Sequence, residues 1–166
     1  MSFTLRPWSP ADLPSLVQAA NNQEIAQYLR NVFPHPYTEA DGLAFIALAT
    51  NQVSDCILAI EVDGLAVGSI GLHPQSDIHC KNAELGYWLA QPFWGRGIIT
   101  QAVQQMVNYG FQTFDITRIF ARPFGTNRAS QRVLEKAGFV LEAQFAQTLF
   151  KNNEFLDEWV YAVRRT

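Results

Sequence analysis

The chain has 166 residues, 48% of them of apolar type, with 12 Phe, 4 Trp and a net charge of −3. That length suits one domain, 1–166, with a sizeable core, and that composition excludes a disordered chain. The acidic balance excludes a general nucleic-acid footprint, and no apolar run approaches the roughly 20 residues that span a bilayer.

The opening "MSFTLRPWSPADL" lacks the charged-then-apolar pattern of a secretory leader, so a cytoplasmic protein is expected. "SFTLRPW" reads as a first strand. A helix follows in "SPADLPSLVQAANN", with Ser9 as a candidate N-cap and Pro10 at the first helical position. "NQEIAQYLRN" is a second short helical run. "FPHPY" must be a loop, because each proline disfavours helix at the residue before it. Thr38 followed by Asp41 resembles a capping box and predicts a helix in "EADGLAFIALATN".

The period then changes. "CILAIEVDGLAVGSIGLHP" alternates about Asp63-Gly64, a strong hairpin signal. "AELGYWLA" is a further strand, and "QPFWGRGIITQA" carries two glycines around Arg96 just before a helix. In that helix Ile99, Ala102, Val103, Met106, Val107 and Gly110 follow the 3.6-residue period. "TRIFARPF" is a strand, "NRASQRVLEKAGF" a helix stopped by Gly138, and "FAQTLF", "KNNE" and "FLDEWVYAV" close the chain as a hairpin. The order predicts a mixed α/β sheet of about six or seven strands flanked by helices.

The glycine turn does not carry the dinucleotide fingerprint. Its third glycine position is Thr100, and Asp115 precedes the next strand instead of ending it. The phosphate-binding Lys-Ser/Thr motif is absent as well. The physics of the turn remains: the first N–H groups of a helix have no partner inside it and point outward together, a ready anion site. Gly95, Arg96, Gly97, Ile98, Ile99 and Thr100 could supply such amides; the alternative is a plain loop-to-helix turn. Arg96, Arg118, Arg122, Arg128, Arg132 and Lys136 outnumber Asp115 and Glu135 between Trp94 and Lys136. Such a local cationic segment suits a small polyanion, or is a set of solvated charges. Cys56 and Cys80 read as reduced thiols. His73, His79 and Cys80 match no zinc spacing and lack a fourth ligand, so no metal is expected.

"ELGYWLAQPFWGRGIITQA" followed by "RIFARPFGTNRASQRVLEKAGF" resembles the GNAT acetyltransferases, and most of all the branch with the RimJ/RimL ribosomal-protein N-terminal acetyltransferases. "LRPWSPADL" and "LDEWVYAV" extend the resemblance over nearly the whole chain. It implies a GNAT fold: a mostly antiparallel sheet with one parallel pair, "AELGYWL" and "TRIFARPF", splayed to admit acetyl-CoA. The glycine turn would take the pyrophosphate, and the cationic segment would face the phosphates of CoA. Two departures stand out: Trp94 and Ile99 occupy positions where the family pattern has Gln or Arg and Gly or Ala. Leu134 stands where many members carry a tyrosine acid.

The resemblance implies an N-acetyltransferase acting on a primary amine by direct attack in a ternary complex. No acyl-cysteine is expected, because neither Cys lies in a motif. A protein N-terminal α-amine, with a pKa of about 7.8 against about 10.4 for lysine, costs about 3.5 kcal/mol less to deprotonate; a small amine is the other candidate acceptor. Glu84 is the candidate base. On an extended strand it shares a face with Gly86 and Trp88, where apolar neighbours would raise its pKa; the alternative is a cross-strand ion pair with an Arg. Ser130 is the candidate acid, which the resemblance implies stabilises the thiolate by a hydrogen bond to the CoA sulfur more than by full proton donation, or a helix cap. Asn127 would contact the pantetheine arm or cap the helix. The backbone of Trp88 and Leu89 would bond the pantetheine amides. Trp94 reads as a packing anchor, and Tyr37, Tyr87, Trp159 and Tyr161 as core or as acceptor-pocket walls. His35 reads as a surface residue or an acceptor contact. A monomer or weak homodimer is expected. The rival from another class is a non-catalytic acyl-CoA-binding module of the same fold.

Overall fold

A computed structural model describes residues 2–51 and 55–166. Its strands are β1 (Thr4–Pro7), β2 (Cys56–Val62), β3 (Leu65–Pro74), β4 (Asn82–Leu89), β5 (Arg118–Ala121), β6 (Val140–Lys151) and β7 (Glu154–Arg164). Its helices are α1 (Leu13–Ala20), α2 (Gln23–Ala26), α3 (Glu39–Asn51), α4 (Ile98–Thr113) and α5 (Arg128–Lys136). The strands form one sheet in the order β1-β2-β3-β4-β5-β7-β6. Every neighbouring pair is antiparallel except β4 and β5. Among the described residues no helix is long and apolar enough to cross a membrane.

The local signals act where the sequence places them. Asp63 (φ 50°) and Gly64 (φ 81°) make the tight β2–β3 turn, and Asn152 (φ 51°) and Asn153 (φ 63°) do the same between β6 and β7. Both turns need two left-handed residues, which Asp, Asn and Gly tolerate. Ser9 and Asp12 form a capping box, but the turn it opens is a 3-10 turn over Pro10–Asp12, and α1 starts only at Leu13. Thr38 and Asp41 exchange cap bonds ahead of α3: the Thr38 N–H donates to Asp41 Oδ2 at 2.8 Å, and the Asp41 N–H to Thr38 Oγ1 at 3.3 Å. In α4 the buried stripe begins at Ile98, which is 1% exposed, and not at the predicted Ile99.

Two apolar layers sandwich the sheet. Leu72, Leu85, Leu89 and Ile119 pack on Ile98, Val103 and Met106 of α4 and on Leu134 of α5. Trp8, Ala59 and Trp88 pack on Leu16 and Ala20 of α1, with Tyr37 and Ile46. Successive β4 side chains therefore enter different layers, as strand alternation requires.

One ion-pair cluster ties β1 to the start of α1. Arg6 donates to both Asp12 oxygens, at 2.7 and 2.8 Å, and also to Glu61. The Asp12 oxygen further accepts the Ser9 N–H at 2.9 Å. The bonds from Arg6, and then that from Ser9, hold the Asp12 carboxyl below its ordinary value of 3.8, against the opposing effect of burial. A depressed carboxylate stabilises the fold above the unfolded pKa and loses that contribution as pH falls through the folded one. Asp12→Asn is expected to cost about 1–3 kcal/mol at pH 7 and to flatten the fall of stability below pH 4, as read by urea midpoints at both pH values. Equal acid sensitivity in both proteins would remove this residue from the account.

Candidate active site

The site grows from the place where two parallel strands part. β4 and β5 are paired at Asn82↔Arg118, Ala83↔Ile119 and Glu84↔Phe120, and no further. β4 runs on to Leu89 with β3 on its other side, the last rung being Gly68↔Leu89. Beyond Glu84 the edge of β4 that faces β5 has no strand partner among the described residues, so the two strands part there.

β4 leads through a 3-10 turn, Gln91–Phe93, into the glycine turn. Gly95 (φ 73°) and Gly97 (φ 76°) are left-handed and exposed, and Gly97 is the N-cap of α4. The first helical bond runs from the Gln101 N–H to the Gly97 carbonyl at 3.2 Å, so the amides of Ile98, Ile99 and Thr100 lie ahead of the ladder. A Cβ at Gly95 would meet nothing within 4 Å. Glycine is required there by its φ and leaves the backbone open to approach. The buried Ile98 side chain anchors this turn to the core.

Glu84 sits on the face of β4 opposite to Leu85, at the last β4–β5 rung. Its surroundings differ from the expected apolar setting. Arg122 Nε donates to Glu84 Oε1 at 3.1 Å and Arg122 Nη2 to Oε2 at 3.2 Å, with the Glu84 side chain 30% exposed. The guanidinium grips both oxygens but leaves each a lone pair for a further donor. Arg122, Arg118, Asn82 and Phe120 line a cavity of about 230 Å³ beside this pair.

The cationic segment is mostly spent within the protein. Arg118 pairs with Glu142, Arg122 with Glu84 and Arg132 with Glu135, while Arg128 lies 5.2 Å from the Trp159 ring. Three of its arginines, Arg118, Arg122 and Arg132, are thus already engaged by carboxylates of the protein itself. One further reading changes. Trp94 is 44% exposed and is no core anchor; its Nε1–H donates to the Leu89 carbonyl at 2.7 Å. That carbonyl is therefore already engaged, with one lone pair left. Tyr37 and Tyr161 are core residues, at 5% and 2% exposure, and burial pushes the Tyr37 phenol up to about 12.

Asn127 is the N-cap of α5: the Ser130 N–H donates to its Oδ1 at 3.2 Å. Ser130 is thus not the cap, and its Oγ lies 2.7 Å from the Tyr87 hydroxyl. Leu134, farther along α5, is fully buried. The sequence does not join Tyr87 to Ser130; alternation puts Tyr87 on one face of its strand with Leu85 and Leu89 and gives no partner.

A second cavity, about 300 Å³, lies between α2 and the β6–β7 turn and is lined by Gln23, Asn31, His35 and Lys151, among others. Lys151 Nζ donates to the Leu29 carbonyl. Phe33, on its wall, meets the Trp88 ring edge-on at 5.6 Å. His73 pairs with Asp55 at 2.7 Å, and the described residues contain no cluster of three or more His, Cys, Asp or Glu able to hold a metal.

The profile of the acetyltransferase (GNAT) domain matches residues 2–140. A ribosomal-protein-serine acetyltransferase of Escherichia coli K12 is 35% identical over 82 residues, 49% of this chain and 46% of that one. The spermidine N(1)-acetyltransferase of the same organism is 24% identical over 160 residues, covering 93% and 81%. The chain spans about half the length of the first curated relatives it matches. Among solved structures, the RimL ribosomal L7/L12 α-N-protein acetyltransferase in complex with coenzyme A superposes with a TM-score of 0.86 at 23% identity, over 99% of this chain and 94% of that one. The fold is thus shared with that protein, and the chain belongs to the GNAT acetyltransferase family.

Proposed function

We propose that this protein is an acetyl-CoA-dependent N-acetyltransferase that moves the acetyl group to a primary amine by direct attack in a ternary complex. The observation that carries the reading is the opening of β4 from β5 after Glu84, which ends in the left-handed turn at Gly95 and Gly97. The amides of that turn, from Gly95 to Thr100, take the pyrophosphate, and the helix dipole favours its charge. The pantetheine arm enters that opening as a short added strand on Trp88 and Leu89. Asn127 fixes the loop at its far wall, and Ser130 meets the sulfur.

In this reading the amine lone pair attacks the thioester carbon, the C–S bond breaks, and its electron pair leaves on sulfur. The proton shed by nitrogen goes to Glu84, directly or through water, and one proton is regained at sulfur. A protein N-terminal α-amine is the leading acceptor, because it is the less basic amine. The relatives named for a ribosomal protein and for spermidine supply the two arms of the test. Purified protein with acetyl-CoA is offered peptides of differing first residue and a set of polyamines, with thiol release and product mass as readouts. Acetylated peptide and unmodified polyamine is the expected result. The reverse moves the acceptor to small amines. Release with neither class removes the enzyme reading in favour of an acyl-CoA-binding module.

A further inference from the structure

Tyr87 stands between Leu85 and Leu89 on the face of β4 that packs against α4 and α5. Its hydroxyl oxygen lies 2.7 Å from Ser130 Oγ and 3.4 Å from the Ser130 carbonyl oxygen. The first turn of α5 is capped by the Asn127 side chain, so the Ser130 hydroxyl serves no capping bond. A serine hydroxyl has one proton and two lone pairs. The short contact can therefore run in two directions. In one, Ser130 donates to Tyr87 and Tyr87 donates onward to the Ser130 carbonyl, a long bond. In the other, Tyr87 donates to Ser130 Oγ and the serine proton is turned outward.

We propose that Tyr87 is the positioning residue of the acetyl transfer, holding Ser130 in the second arrangement so that its O–H points at the thioester sulfur. The inference rests on the reading above that Ser130 meets that sulfur. As the C–S bond breaks, negative charge builds on sulfur. A hydrogen bond to a charged acceptor is about twice as strong as a neutral one, so the exchange of the long carbonyl bond for the sulfur bond is favourable at that moment. Donation from Tyr87 also polarises the serine O–H and strengthens it as a donor. Burial pushes the Tyr87 phenol well above its ordinary range, with the Ser130 bond pulling the other way. The phenol therefore stays protonated across neutral pH and acts by donation, never as an anion. No proton leaves Tyr87: nitrogen loses one, sulfur regains one from solvent, and the Tyr87–Ser130 pair is unchanged after turnover.

The test compares Tyr87→Phe, Ser130→Ala and the double variant, with kcat, KM for acetyl-CoA and melting temperature measured for each. Tyr87→Phe is expected to lower kcat about tenfold with KM for acetyl-CoA nearly unchanged. Ser130→Ala is expected to lower kcat about a hundredfold. The double variant is expected to be no slower than Ser130→Ala, because Tyr87 acts only through that hydroxyl. Ser130→Thr, which keeps a hydroxyl, should retain sensitivity to Tyr87→Phe. A hydroxyl of structural importance alone would instead shift melting temperature and leave kcat of the folded fraction intact. If Ser130→Ala is slow and Tyr87→Phe is not, or if the two losses multiply, the inference is overturned and the site reading stands. If Ser130→Ala keeps full kcat, the placement of Ser130 at the sulfur falls, and the inference falls with it.

Discussion

Glu84→Gln is expected to lower kcat by about 100- to 10,000-fold, the range for loss of a positioned general base, with KM for acetyl-CoA nearly unchanged. The substitution keeps the shape of the side chain and an oxygen for Arg122, which now bonds both carboxylate oxygens at 3.1 and 3.2 Å. The pair is partly open to solvent, with side-chain exposures of 43% for Arg122 and 30% for Glu84. Its loss should therefore change stability by about 1 kcal/mol or less. That separation makes the experiment clean: a large kinetic effect on a fold whose melting point barely moves. Initial rates from pH 6 to 9 are the measurement. Equal kcat for the variant and the parent over that range would place the base elsewhere.

Gly68→Ala is expected to lower stability by about 1–3 kcal/mol, seen as a melting temperature lower by about 3–10 °C. A Cβ at this position would lie 2.5 Å from the Trp88 carbonyl oxygen, 3.0 Å from Leu89 Cδ1 and 3.1 Å from Leu89 Cα. Two of those three atoms belong to the backbone of β4, which cannot turn aside as a side chain can. Relief requires β3 and β4 to separate at Gly68↔Leu89, the rung beside the opening between β4 and β5. The variant should thus also bind acetyl-CoA more weakly, because Trp88 and Leu89 move with β4. An unchanged melting curve would show that the two strands give way there without cost.

What could be read in the chain alone depended on range. Turns written in adjacent residues, Asp63-Gly64 and the Thr38–Asp41 box, stand where their chemistry puts them. Alternation along "AELGYWLA" correctly split Leu85, Tyr87 and Leu89 from Glu84, Gly86 and Trp88. The partners of those side chains were not legible. Glu84 meets Arg122 only because the parallel register sets Glu84 beside Phe120, and alternation supplies a face without a register. The ion pair with an Arg that stood beside the base reading is present, in place of the expected apolar setting, and leaves each carboxylate oxygen a lone pair. The Tyr87–Ser130 bond spans two elements joined by α4 and β5, and no local signal reports it. Trp94 was misread for a related reason. A large apolar ring suggests a core, yet this one lies in an exposed turn where its single N–H finds the Leu89 carbonyl.

The sheet is continuous on paper but narrow at its waist. Among the described residues, three rungs, Asn82↔Arg118 to Glu84↔Phe120, pair the first four strands with the last three. A molecule lying in the notch above them would serve as the missing lacing. The co-substrate would then also be a beam of the building it enters, and the rigidity of the two halves against each other would rise and fall with each catalytic cycle.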